Sequence, residues 1–224
     1  MPVRKALCLQ MLKIFRKEKK ISKNLKILVF IINEAFFLRH TSLNVDIDVF
    51  YGQTDLDVSD RFEQEVKLIQ KKIKNFNIHT NSIKVYSSPL KRCIKLTNKL
   101  TENYIVDERI KEMNLGDWEM KKMSSISKKE KLDWENNLLS FKIPNGESNN
   151  EFLKRLNSFL EDIFKFNEDA LIVCHAGSIN GMLSLLTKEP FDKMVKNYWE
   201  LIKHGSLSLI ELKNELIIKK IIGK

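Results

Sequence analysis

Two apolar stretches of this chain each run straight into a histidine, and that pairing constrains the fold more than any other feature. Phe37-Leu38-Arg39-His40-Thr41 ends one stretch and Leu171-Ile172-Val173-Cys174-His175-Ala176-Gly177 ends the other, in 224 residues that hold only four histidines. An unpartnered imidazole is costly to bury, and open α/β sheets bind ligands at the carboxyl ends of their strands. Two such strand ends predict one shared site.

The rest of the pattern supports a sheet of that kind. Short apolar segments near 35–39, 82–86, 104–107, 169–174, 206–212 and 215–221 read as strands. Phe62, Val66, Ile69 and Ile73 recur at helical spacing in 60–74, as do Leu90, Cys93, Ile94, Thr97 and Leu100 in 89–102. Ser148-Asn149-Asn150-Glu151 has the form of a capping box, follows the turn Pro144-Asn145-Gly146, and opens a helix striped by Phe152, Leu156, Phe159, Leu160 and Ile163. Strands alternating with such helices predict an α/β fold, a mostly parallel central sheet with helices on both faces. Residues 113–147 are looser in pattern, with a Lys-rich run at 128–131, and read as a flap inserted over the site.

Charge divides the chain unevenly. Of a formal +10, residues 1–24 carry +7, eight basic side chains against Glu18, and the other 200 residues only +3. The organisation expected is therefore a basic N-terminal extension at 1–24 and one folded domain at 25–224. A nucleic-acid binder concentrates positive charge on its folded surface, so no nucleic-acid partner is expected, whereas a mildly basic domain suits a small anionic substrate. Cys8, Cys93 and Cys174 are odd in number and lack metal-ligand spacing, which points to a reducing compartment and no structural zinc. The apolar run Leu25 to Ile32 is broken by Lys26 and falls short of the ~20 residues of a membrane span. It superficially resembles a signal peptide, but cleavage after it would fall against Phe36-Phe37-Leu38, so a cytoplasmic location is expected.

Four segments with chemistry lie at strand ends or in the loops after them: Arg39-His40, Ser87-Ser88-Pro89-Leu90-Lys91-Arg92, the stretch holding Glu112, and His175-Ala176-Gly177. Taken singly, each has an ordinary reading: a hydrogen-bonded structural histidine, a solvated Arg92, a surface Glu112, a packing Trp118. His79, in a polar loop, and His204, before a Gly-Ser turn, are read as ordinary outright. Together the four segments supply two histidines, two arginines and a carboxylate, an inventory that suits phosphoryl transfer. Imidazole can serve as nucleophile, guanidiniums hold the phosphoryl oxygens, and a carboxylic acid protonates the departing oxygen.

Arg39-His40, Tyr51-Gly52-Gln53-Thr54-Asp55, Ser-Ser-Pro-Leu-x-Arg at 87–92, Glu-x-x-x-Gly-x-Trp-Glu at 112–119, Asn145-Gly146-Glu147-Ser148 and His-Ala-Gly at 175–177 stand in the order of a known family. The chain resembles the histidine phosphatase superfamily, also called phosphoglycerate mutase-like, over about residues 35 to 212. The resemblance implies a three-layer sandwich, His40 as a nucleophile that becomes a phosphohistidine, and Arg39, Arg92 and His175 as the phosphate pocket. It implies Glu112 as proton donor to the leaving group and then as base for water. Ser88 as N-cap and Pro89 as first residue would set a helix N-terminus near Arg92. The family's glycine after Arg-His is Thr41 here, which either sits at a tolerant dihedral or offers its hydroxyl and amide to phosphate instead, and the family's Asn shortly afterwards has no clear match.

Arg-His-Thr-Ser followed by Tyr-Gly-Gln-Thr-Asp looks like the alpha-ribazole phosphatases, which act in cobalamin biosynthesis. The interval of 63 residues from Glu112 to His175 is shorter than in phosphoglycerate mutases and favours hydrolysis over transfer. The expected partner is a small phosphorylated metabolite, with no cofactor and no metal, since the arginines and a histidine do the charge-neutralising work. The alternatives are a broad sugar-phosphate or nucleotide phosphatase, then a mutase, or a module that binds phosphate ligands without turnover.

Overall fold

Parallel pairing of the two histidine-ended strands sets the centre of the molecule. The computed structural model describes residues 32–46, 48–164, 168–213 and 216–224. Its six strands are β1 (Ile32–Arg39), β2 (Lys84–Ser87), β3 (Ile105–Val106), β4 (Ala170–Cys174), β5 (Leu207–Lys213) and β6 (Leu216–Ile221), in the sheet order β3-β2-β4-β1-β5-β6. The first four run parallel to one another, whereas β5 and β6 are antiparallel to their neighbours.

Alternation along the central strands builds a core on each face. Phe36 and Leu38 of β1, with Leu171 and Val173 of β4, pack on one side with α1 (Phe62–Asn75) and α2 (Lys91–Asn98). Ala35 and Phe37, with Ile172 and Cys174, pack on the other side with α4 (Asn149–Phe164), α5 (Ala176–Thr187) and α6 (Phe191–Tyr198). The Ser148–Glu151 capping box forms as expected, each residue's side chain accepting from the other's backbone N–H. Asn145 adopts the left-handed φ of 57° that its turn requires.

Three expectations need correction. The helix predicted over 89–102 spans only Lys91–Asn98, with Leu90 at its N-cap and no side-chain cap, so Ser88 and Pro89 lie outside it. The strand predicted over 104–107 is two residues long. The excursion 113–147 is not loosely packed: Ser127 and Glu130 form a second capping box that opens α3 (Lys128–Asn136). Trp118, Ile126 and Ile143 form a small core there, flanked by Phe50, Trp134 and Phe141. The proposed extension at 1–24 lies outside the described residues. Among the described residues, no helix is long and apolar enough to cross a membrane.

If the two-faced core carries the stability, Ile172→Ala in β4 should cost about 2–5 kcal/mol in a chemical denaturation experiment. Leu68→Ala, on the exposed side of α1, should change stability by no more than about 0.5 kcal/mol.

Candidate active site

In the register of β1 on β4, Arg39 lies opposite Cys174, so His40 and His175 leave the sheet side by side. The His40 amide donates to the Cys174 carbonyl at 3.0 Å, and the ring centroids are 5.2 Å apart. Both residues are 1% exposed. The partners of each ring fix its tautomer. Nδ1 of His40 lies 2.7 Å from the Thr41 carbonyl, which can only accept, so the proton sits on Nδ1 and Nε2 keeps its lone pair. Arg92 Nε donates to His175 Nδ1 at 3.2 Å, which leaves the His175 proton on Nε2, 2.8 Å from Ser88 Oγ. Burial holds both imidazoles well below the ordinary histidine range; nearby positive charge adds to it, Arg92 and Arg39 acting on both rings.

Arg92 is wholly buried without a carboxylate to neutralise it. Its other two nitrogens donate to backbone carbonyls: Nη1 to Thr54 at 2.9 Å and Nη2 to Gly52 at 2.6 Å. That loop is in turn held by Glu119, whose carboxylate accepts from the amides of Gly52, Gln53, Thr54 and Leu115 and from the Thr54 hydroxyl. Gly52 has no alternative, because a Cβ there would run into the Met113 carbonyl.

Arg39 is anchored on the other side of His40. Nη1 donates to the Ile202 carbonyl at 2.8 Å and Nη2 to His204 Nε2 at 3.0 Å. Among the described residues its Nε is buried without a protein partner, as is Thr41 Oγ1. These two unmatched groups flank the His40 backbone in sequence. Burial lowers the Arg39 proton affinity, and the neighbouring Tyr51 and Glu112 partly offset this.

Glu112 reaches the site from the loop after β3. Its Oε2 accepts from the Gly177 amide at 2.9 Å in the first turn of α5, and Oε1 accepts from the Met113 amide at 2.9 Å. A side chain on Gly177 would collide with this carboxylate. Behind it, Arg155 of α4 clamps the segment by donating to the carbonyls of Arg109, Lys111 and Glu112, while pairing with Glu147 at 2.6 Å. Glu147 closes the bracket by accepting from the Asn114 amide.

All the expected residues, His40, Thr41, Arg39, Arg92, Glu112 and His175, therefore gather around one strand-end crevice. Three details differ from the sequence reading. Ser88 is not a helix cap, because its hydroxyl serves His175. The Thr41 carbonyl, to which no role was assigned, orients His40, while the Thr41 hydroxyl has no protein partner among the described residues. His204 is not an ordinary loop histidine: its ring centroid lies 5.3 Å from that of His40, and it binds Arg39. Desolvation, then Arg39, Arg61 and Arg92, push its pKa to about 3. His79 is solvent-exposed, as its polar loop implies. Arg155 was the other residue missed, although Glu147 in the Asn-Gly-Glu-Ser stretch was a visible half of its pair.

A family model described as histidine phosphatase superfamily (branch 1) matches residues 35–219. The Hydrogenobacter thermophilus protein named "Putative phosphoserine phosphatase 2" is 31% identical over 147 residues, 62% of this chain and 70% of that one. The alpha-ribazole phosphatase of Shigella flexneri is a structural neighbour with a TM-score of 0.72 at 19% identity, over 85% of this chain and 96% of that one. A mycobacterial glucosyl-3-phosphoglycerate phosphatase gives a TM-score of 0.66 at 19% identity, over 80% of this chain and 90% of that one. These structural likenesses extend to the fold.

Nitrogen NMR at neutral pH should find His40 as the Nδ1–H tautomer and His175 as the Nε2–H tautomer; an Nε2–H form of His40 would contradict the Thr41 contact. Because His40, His175 and His204 bind protons less readily folded than unfolded, their contribution is complete above the ordinary histidine pKa of about 6.5. Stability should fall as pH drops below that value, and His175→Gln should make the decline in melting temperature shallower.

Proposed function

The chain belongs to branch 1 of the histidine phosphatase superfamily, and from that premise we propose that it is a phosphomonoester hydrolase whose nucleophile is His40 Nε2. The observation that carries the reading is the Nδ1 contact to the Thr41 carbonyl, which leaves Nε2 unprotonated on a ring 5.2 Å from that of His175 and within the field of Arg92 and Arg39.

In the first half-reaction, Nε2 forms a bond to phosphorus as the ester P–O bond breaks, and the departing alkoxide takes its proton from Glu112. Arg39, Arg92 and the imidazole of His175 stabilise the negative oxygens of the transferring phosphoryl group. The unmatched Arg39 Nε and Thr41 Oγ1 are the donors that its oxygens would satisfy. In the second half-reaction, Glu112, now a carboxylate, takes a proton from water as the water oxygen bonds to phosphorus and the N–P bond breaks. Orthophosphate leaves and Glu112 is again protonated. Gly177 lets Glu112 approach and the Arg155 clamp fixes its backbone.

Hydrolysis is preferred over mutase chemistry because only 63 residues separate Glu112 from His175, which leaves little protein to shield the phosphohistidine from water. As substrate we propose a small phosphorylated metabolite, with alpha-ribazole 5′-phosphate first, on the strength of the Arg39-His40-Thr41-Ser42 and Tyr51-Gly52-Gln53-Thr54-Asp55 segments. Phosphoserine is the second reading, favoured by the name of the Hydrogenobacter relative. A cytoplasmic location is part of the same proposal, consistent with Cys93 and Cys174 remaining free.

The test is phosphate release in EDTA from alpha-ribazole 5′-phosphate, phosphoserine, 3-phosphoglycerate, sugar phosphates and nucleoside monophosphates. Activity should survive the chelator and vanish in His40→Ala. Glu112→Gln should lower kcat on alkyl phosphates about 10²- to 10⁴-fold. The first half-reaction with p-nitrophenyl phosphate, whose leaving group needs no acid, should be much less affected. A His40→Ala protein as active as the wild type would sink the mechanism.

A further inference from the structure

We propose that His204 is a positioning residue that holds the Arg39 guanidinium ready for an incoming phosphoryl group, an inference that rests on the phosphatase reading above. The segment 202–205 between α6 and β5 supplies both anchors of Arg39, the Ile202 carbonyl on Nη1 and His204 Nε2 on Nη2. It is itself stapled to the end of β1: the Gly205 amide donates to the carbonyls of Arg39 and His40, and the Arg39 amide donates to the Ser206 carbonyl. Strand end and anchoring loop thus form one unit.

A guanidinium has five N–H groups in a rigid fork, so engaging one hydrogen on each Nη fixes its plane. Nε, buried and without a protein partner among the described residues, stays available to a phosphoryl group. Arginine only donates, so His204 must present a lone pair at Nε2 and carry its proton on Nδ1. Tyr51 Oη lies 3.4 Å from the same nitrogen and has a weaker claim on it. The charged or titratable groups facing the ring are His40, Arg39, Tyr51, Arg61 and Arg92; desolvation first, and then the three arginines, keep it neutral and therefore able to accept through the physiological range. The same ring packs on His40, so one residue ties the placement of Arg39 to that of the proposed nucleophile. Sequence reading overlooked it because a histidine before Gly-Ser carries no signal of a partner 165 positions away.

The role predicts a loss of anion affinity that an acceptor can rescue. Because His204 lies in a loop outside the hydrophobic cores, both His204→Ala and His204→Gln should fold. In His204→Ala, inhibition by orthovanadate and protection of the fold by orthophosphate should weaken about tenfold, with KM rising in step and kcat changing less, whereas His204→Gln should stay within about twofold of wild type. An Ala variant equal to or tighter than wild type would overturn the inference, as would equal losses in Ala and Gln. His40→Ala, assayed alongside, separates the two ideas. If it retains full activity the phosphohistidine reading fails, whereas orthophosphate protection across the His204 variants reports on Arg39 without reference to turnover.

Discussion

Everything at the site depends on one register, Arg39 of β1 opposite Cys174 of β4. Because the strands are parallel and adjacent, the residue after each pair leaves the sheet at the same level, and both of those residues are histidines. A slip of one residue would turn the apolar sets of β1 and β4 to the wrong faces. The two cores forbid this, since Phe36 and Leu38 belong to one and Ala35 and Phe37 to the other. Hydrophobic packing thus fixes the spacing of the two imidazoles.

The electrostatic consequence is a crevice with more fixed positive charge than protein charge to answer it. Arg92 is fully buried, yet its partners are two carbonyls and an imidazole, and Arg39 is held by a carbonyl and an imidazole. Carbonyls orient a guanidinium without cancelling it. Glu119 binds the backbone amides and the Thr54 hydroxyl of the loop that supplies the carbonyls on Arg92. Arg92, wholly buried and without an ion-pair partner among the described residues, is expensive to keep in an unliganded fold, and Arg39 beside it is partly buried. The proposed phosphoryl group would meet this charge through the Arg39 Nε that no protein atom among the described residues engages.

This division also explains what could be read from the chain. The histidines, Arg39, Arg92 and Glu112 were legible because each sits beside a strand signal or in a local motif, and the sheet and its flanking helices were legible from their periodicities. The short reach of α2 was not, because Ser88 and Pro89 have the sequence chemistry of a helix start but Ser88 is drawn away by His175. The order within 113–147 was missed because its apolar residues are sparse and come together only in space, around Trp118. His204 and Arg155 were missed for a related reason. Each acts on backbone or side chains far away in sequence, and neither sits in a period or local motif that marks a site.

Arg155 shows how far the proposed acid depends on remote structure. The carboxylate of Glu112 is set by the amides of Met113 and Gly177, but the backbone carrying it belongs to a loop after a strand only two residues long. Such a loop has little sheet pairing to hold it. Arg155 compensates by donating to three carbonyls between residues 109 and 112 from the rigid face of α4, with Glu147 fixing its plane and Gln53 bonding the Glu112 carbonyl from the loop that also holds Arg92. Acid, guanidinium and imidazole therefore share a continuous hydrogen-bonded frame. The loop that carries Glu112 is placed by the helices around it, while the sheet holds the proposed nucleophile.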